Sequence, residues 1–443
     1  MEKKMIKPSM NDLKTDDRNV VFPIYAGLFA RCSYPVSKAF FMSFRFELDR
    51  EADEASLKKA WDETTKVYPY LTYAVVVRNG KYEMAKNPLP FVICETEEVL
   101  EPFGKTGNFH TTTICYKGKT LHFYIDHVPF DGTGVRFLME TFFYYYYCFS
   151  DGIDYPVPEG ILTKKDIPIE GLCEDAYLDT RVKPIDINPE KAFADEKTFL
   201  MPESTDRVLF VPAENCACFC ISVPKKDMMD YAKSVSGTPM SLISVLIACA
   251  IQSVHPDNKL PVKISTPVSI RKVMGNEHSL LHQIVHMKYM FDPDSLMEEG
   301  GEGKLIRDYR AFLKDFTSED NIITMCGVYS GIIQGMMKLM EKGDTEETII
   351  KLRENGEAAI AVSYIGQLKT GEYGNRFRMT VFRTMRENGI MVQAVEIGGV
   401  FYLCWYQGFL SDCYVKVLTK LFKKLGMKNA VLERIPDQTV RSL

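Results

Sequence analysis

The stretch LHFYIDHVPFDGTGVRFL, residues 121–138, constrains the fold more than any other part of the chain. Leu121, Phe123 and Ile125 alternate along a strand that stops at a polar cluster. Pro129 and Gly132 break the pattern into a turn, and a helix is expected from Thr133 to about Phe149. His127 therefore lies on a strand-to-helix loop, where a rigid scaffold can hold a reactive side chain. Histidine titrates near neutrality and suits proton transfer. Asp131, four residues on, can hold the loop through an ion pair. On the local pattern alone, a structural histidine in a turn is the better reading, because His-x-x-x-Asp is a short motif.

The rest of the first half reads as further strands and one helix. Phe40 to Leu48 has a strand pattern, and Ala55 to Tyr68 a helical one with Leu57, Ala60, Trp61 and Thr64 on one face, ended by Pro69. Leu71 to Val77 and Tyr82 to Ala85 read as a hairpin around Asn79-Gly80. His110 to Tyr116 and Thr120 to Ile125 read as a second pair around Lys117-Gly118-Lys119. Prolines then crowd among charges through 151–205, at Pro156, Pro158, Pro168, Pro184, Pro189 and Pro202, and mark a linker. Beyond it, strands are expected at Cys218–Val223, Val262–Pro267, 281–291, Ala359–Ile365, Met379–Phe382, Ile390–Ile397 and Val400–Gln407. Helices are expected at Met240–Val254, 305–340, 346–356 and Asp412–Leu425. Both halves mix strands with helices, which points to α/β or α+β in two lobes.

Composition narrows the function classes. At 443 residues and 46% hydrophobic, the chain can fill two cores of roughly 200 residues each. A net charge of −5 gives none of the basic excess of a nucleic-acid binder. The twelve cysteines are scattered through apolar stretches, unlike the disulfide framework of a small secreted domain. The N-terminal MEKKMIKPSMNDLKTDDRNV has no apolar run of the secretory kind. The longest candidate membrane span, Gly134 to Phe149, carries Arg136 and Glu140. The expectation is a protein of the reducing cytoplasm with no transmembrane segment.

Asp126-His127-Val128-Pro129-Phe130-Asp131-Gly132 resembles the His-His-x-x-x-Asp-Gly motif of the condensation-domain and chloramphenicol acetyltransferase superfamily, which includes alcohol acetyltransferases and plant acyltransferases. Three more segments resemble that family in order: Tyr68-Pro69-Tyr70-Leu71, Ser265-Thr266-Pro267-Val268-Ser269-Ile270-Arg271 and Val362-Ser363-Tyr364-Ile365-Gly366-Gln367. Together they cover roughly residues 20–425. The resemblance implies an α/β (α+β) fold of two chloramphenicol acetyltransferase-like lobes, each a mixed sheet packed with helices, with an active-site tunnel between them. The N-terminal lobe would be 1–175, the linker 176–205 and the C-terminal lobe 206–443.

The same resemblance implies the site. His127 would be the catalytic base, with Asp126 in place of the family's first histidine and its carboxylate placed to raise the His127 pKa. Asp131 would pair with Arg271 and, with Gly132, hold the loop without reacting. Asp126, Ser363, Tyr364 and Gly366 are the substrate-contacting candidates. Ser363 would meet the reacting carbonyl, Tyr364 would line the acyl path, and Gly366 would let backbone approach a ligand closely. Strand alternation allows only one of Ser363 and Tyr364 to face the site. The implied activity moves an acyl group, acetyl in the nearest type, from a coenzyme A thioester to a small alcohol or amine. Acyl-CoA would be a co-substrate, with no permanently bound cofactor and no metal. A stand-alone condensation domain fed by an acyl carrier protein, and a non-catalytic binding protein of the same fold, are the rival readings.

Other motifs read as structural. His278, His282 and His286 are spaced by four, but the alternation around His286 would spread them over about 20 Å or more at roughly 3.3 Å per residue. They read as surface or tunnel-lining residues rather than a metal site. Cys216, Cys218 and Cys220 read as one strand face, and Gly300 to Lys304 lacks the spacing of a phosphate-binding loop. No Gly-x-Ser-x-Gly elbow occurs. Lys416, Lys420, Lys423, Lys424 and Lys428 read as the solvated face of the last helix, with coenzyme A phosphates or an anionic membrane as the sharper alternative.

Overall fold

The computed structural model describes residues 20–23, 41–78, 81–102, 104–167, 172–186, 197–204, 215–341, 359–383 and 389–436. Residues 1–19, the Asn79-Gly80 turn, the helix expected at 346–356 and part of the linker lie outside these residues.

The first half runs β1 (Val20–Pro23), β2 (Phe41–Leu48), α1 (Glu54–Val67), β3 (Tyr73–Arg78), β4 (Lys81–Lys86), β5 (Ile93–Glu95), β6 (Thr112–Lys117), β7 (Thr120–Asp126) and α2 (Gly132–Asp151). The second runs β8 (Ala217–Pro224), α3 (Lys225–Ser234), α4 (Pro239–Val254), β9 (Val262–Ser269), α5 (Arg271–Met274), β10 (Ile284–Phe291), α6 (Pro293–Met297), α7 (Glu302–Phe316) and α8 (Glu319–Glu341). It continues with β11 (Ala359–Gln367), β12 (Phe377–Arg383), β13 (Gly389–Ile397), β14 (Val400–Gln407), α9 (Cys413–Lys424) and β15 (Val431–Ile435).

Three details differ from the sequence expectation. Pro69 opens a 3-10 turn that runs to Thr72, so the strand expected from Leu71 starts at Tyr73. The helical stretch at 305–340 is two helices, interrupted at Thr317-Ser318. Strands β1, β5 and β15 and helices α3, α5 and α6 were not expected. β5 has only three residues, the edge strand β15 exposes Val431, and α3 buries only Met228 and Ala232, so none carries a strong periodic signal.

Two large mixed sheets carry the architecture. The five-stranded one has the order β12-β2-β7-β6-β5, with β5 and β6 parallel. Its residues Phe44, Phe46, Leu121 and Phe123 share a core with Leu57 and Trp61 of α1 and with Phe142, Phe143 and Tyr146 of α2. The aromatic run of α2 is thus buried in the first lobe, and no single described helix is long and apolar enough to cross a membrane.

The seven-stranded sheet has the order β10-β9-β11-β13-β14-β8-β15, with β11 parallel to both neighbours. Its core surrounds α4, whose apolar sequence PMSLISVLIACAIQSV is buried around nearly its whole circumference. Thr238 and Ser241 cap that helix reciprocally, and Pro239 occupies its first turn. A three-stranded sheet, β1-β4-β3, completes the first half. One strand crosses over: β12 comes from the second half but pairs antiparallel with β2, from Phe377 opposite Leu48 to Arg383 opposite Ser43.

Candidate active site

The site begins where β7 ends. Asp126 donates its backbone N–H to the Thr111 carbonyl, and its Oδ1 accepts from the Val128 N–H at 3.0 Å. This side-chain-to-backbone turn bends the chain immediately after the strand. The Nδ1 of His127, on the bend, lies 2.7 Å from the Phe130 carbonyl oxygen. A carbonyl can only accept, so Nδ1 carries the proton and Nε2 keeps the lone pair. Burial pushes the His127 pKa below the ordinary histidine value, and the Phe130 carbonyl and Asp131 only partly offset this. The upward shift expected from Asp126 is not found, because that carboxylate is turned back onto its own loop and burial dominates. His127 is therefore neutral at pH 7.

Asp131 is fully buried and does three things at once. It caps α2 by accepting from the Gly134 N–H at 2.8 Å. It pairs with Arg271 Nη2 at 2.9 Å and accepts from the Gln283 N–H at 2.7 Å. Arg271 is 3% exposed and spends its remaining donors on the Ser279 and Leu281 carbonyls and the Ser269 hydroxyl. A buried ion pair needs such additional hydrogen bonds to offset its desolvation, and this is the pair the family resemblance implied.

The segment 279–283, from the second half, crosses over the loop. Phe130 bridges Leu281, the His282 N–H donates to the Pro129 carbonyl at 2.7 Å, and the Leu280 N–H donates to the Tyr70 hydroxyl at 3.0 Å. The approach is close enough that a Cβ at Gly134 would lie 2.2 Å from the Leu280 carbonyl oxygen.

Strand β11 reaches the same junction. A Cβ at Gly132 would sit 3.1 Å from Ile365 Cγ2, so Ile365, and by alternation Ser363, face the His127 loop. Tyr364 lies on the opposite face, packed against the second core with its ring 5.9 Å from Phe401. It does not line an acyl path on the His127 side. Gly366 has φ +88°, and a Cβ there would meet Arg136 Nη1 at 2.9 Å, so the close approach it permits is to an arginine rather than to a ligand. A small cavity beside this strand is lined by Phe44, Val135, Arg136 and Ile365 among others, and His127 is not part of its lining.

Several site residues escaped the sequence reading. Gln393 of β13 is buried, with its Oε1 3.6 Å from a Cβ at Gly132 and its Nε2 donating to the Ala394 carbonyl. Tyr70 and Gln283 act through a phenol and a backbone N–H, which leave no spacing signal. His282, read from the sequence only as a surface or tunnel-lining residue, has its ring centroid 5.5 Å from that of His127. It is 6% exposed, its pKa is pushed down to about 3, first by burial and next by His127, and its Nδ1 has no hydrogen-bond partner among the described residues. The three histidines do not converge: His278 lies against Phe137 and His286 Nδ1 is 3.3 Å from the Ser265 hydroxyl. Among the described residues no three His, Cys, Asp or Glu side chains are grouped to hold a metal.

No family model and no curated protein matches the chain. Solved structures do. The chain is similar to F. graminearum TRI101 complexed with coenzyme A and T-2 mycotoxin, at 11% identity and TM-score 0.58, covering 93% of this chain and 99% of that one. It is similar to the epimerization domain from the third module of tyrocidine synthetase B at 11% identity and TM-score 0.57, covering 92% and 96%. The TRI3 trichothecene 15-O-acetyltransferase from Fusarium sporotrichioides matches at 10% identity and TM-score 0.54, covering 92% and 94%. At these identities the likeness establishes the shared two-lobed fold.

Proposed function

We propose, from the premise that this chain has the two-lobed chloramphenicol acetyltransferase-like fold, that it is an acyltransferase with His127 as its general base. One observation carries the reading. The Phe130 carbonyl fixes the His127 proton on Nδ1, leaving a neutral Nε2 lone pair on a loop clamped between the two halves.

That Nε2 would take the proton from an acceptor hydroxyl or amine as it attacks a thioester carbonyl, then return it to the departing thiolate. A thioester is already activated, so no metal is needed in this scheme. The donor is a coenzyme A thioester, a reading supported by the coenzyme A complex of TRI101. Asp131, Arg271 and Gly132 hold the loop, and Ser363 would be the β11 side chain that meets the acyl group. In this reading the tunnel runs between an N-terminal lobe (1–175) and a C-terminal lobe (206–443), with β12 lent back across the junction. The described cysteines are all free thiols, which supports a reducing compartment.

The test is to incubate the protein with acetyl-CoA and a panel of primary alcohols and amines, following thiol release and acylated products by mass spectrometry. A parallel arm uses an acetylated carrier protein as donor. Thiol release with an acylated product is expected from acetyl-CoA. Transfer from the carrier protein alone would move the chain to the condensation-domain reading. No transfer from either donor would leave a binding protein.

A further inference from the structure

The geometry points to His282 as a second catalytic residue, whose neutral imidazole donates a hydrogen bond to the oxygen that becomes negative when the acyl carbonyl is attacked. This rests on the acyl-transfer reading.

Three observations carry it. First, His282 is delivered to the base from the other half of the chain. Its backbone N–H binds the Pro129 carbonyl, and its ring stands 5.5 Å from the His127 ring, tilted by 57°. Second, among the described residues the ring makes no structural hydrogen bond. The backbone bond to Pro129 would be kept by any residue, and the flanking Leu280 and Leu281 are apolar and buried. Third, Nδ1 is buried without a partner among the described residues. Buried polar atoms are nearly always satisfied, and an orphan is destabilising, so its retention beside a reactive group calls for a ligand.

The electrostatics fit a donor that never gives up its proton. His282 is surrounded by His127, Asp131, Arg271 and His286, and burial with the neighbouring His127 keeps it uncharged through the neutral range. A neutral imidazole cannot serve as a general acid there, but its N–H can polarise a carbonyl. Fixed donors aimed at a developing oxyanion are among the largest contributors to catalysis.

The step balances without further reagents. His127 Nε2 takes the proton of the acceptor O–H or N–H as that atom bonds to the thioester carbon, and the carbonyl π pair moves onto oxygen, where the His282 N–H meets it. The pair then re-forms the carbonyl, the C–S bond breaks with its electrons on sulfur, and the proton passes from His127 to the thiolate. Ester or amide and free thiol result.

The experiment measures thiol release from acetyl-CoA, with water and the alcohol and amine panel as acceptors, in wild type, His127→Ala, His282→Ala, His282→Asn and His282→Gln. His282→Ala is expected to lower kcat by about 100- to 1,000-fold, the range for loss of one oxyanion donor. Its KM for acetyl-CoA should stay within about threefold of wild type, and the pH midpoint of kcat/KM, set by His127, should not move. An amide N–H can replace that of imidazole, so His282→Asn or His282→Gln should recover at least about tenfold over His282→Ala. If the alanine variant does not fold, the amide pair decides: one should exceed the other by about tenfold, because only one reproduces the donating nitrogen. The proposal is overturned by a kcat within about threefold of wild type, by a rise in KM alone, by a shifted midpoint at unchanged plateau, or by no recovery in either amide variant. If wild type shows no thiol release beyond that of His127→Ala, the acyl-transfer reading falls and this proposal with it.

Discussion

His282 makes the stability of the fold depend on pH. The folded chain keeps it neutral down to about pH 3, whereas a histidine in the unfolded chain titrates near 6.5. Between those values the unfolded state binds more protons, so this contribution is complete above about pH 6.5 and is lost as pH falls toward 3. His282→Gln removes it. The difference in unfolding free energy between wild type and variant should therefore grow with rising pH, by up to about 1.4 kcal/mol per unit between about pH 4 and 6.5. Urea unfolding at a series of pH values measures it, and parallel curves would contradict the assignment. At this scale the loop position of His127 and the Asp131–Arg271 pair were legible because short motifs carry them. His282 and Gln283 were not, because they reach the loop from about 150 residues away through backbone groups common to every residue.

The loop between β7 and α2 is held as an element, and two substitutions test how. Asp131→Ala leaves the Arg271 guanidinium buried without its carboxylate and α2 without its cap. Breaking such a pair costs roughly 3–5 kcal/mol, and thermal unfolding should show a correspondingly large drop in Tm. A double variant, Asp131→Ala with Arg271→Met, should lose less than the sum of the singles, because the stranded charge is gone. Additive losses would mean that the pair is not coupled. Gly134→Ala drives a methyl into the Leu280 carbonyl and should cost about 1–3 kcal/mol or more by pushing 279–283 off the helix. A neutral result there would contradict the close crossing. Strand and helix positions were mostly legible from periodicity. The exceptions were short or little-buried elements, β1, β5, β15, α3, α5 and α6, and the strand start delayed by the Pro69 turn.

Over the whole molecule, the two sheets are interlocked by β12. Phe377, Met379 and Phe382 fill the first core although they follow the seven-stranded sheet's β11 in sequence. Periodicity marks such a stretch as a strand without naming its partner, so the exchange could not be read in advance. Residues 1–204 expressed alone should therefore expose the β2 edge and an unfilled core, bind hydrophobic dyes and aggregate. Co-expression with 215–443 should rescue a soluble pair. Cooperative folding of the first fragment by itself would contradict the interlock.

The central claim is that a neutral His127 at the junction of the lobes takes the acceptor's proton. The most direct measurement is steady-state thiol release from acetyl-CoA by wild type and His127→Ala, with thermal unfolding of both. The account predicts a fall of at least about 100-fold in turnover with Tm nearly unchanged, since the loop is held mainly by Asp131 and Arg271 and the imidazole adds one bond, to the Phe130 carbonyl. Near-wild-type turnover in His127→Ala would contradict it.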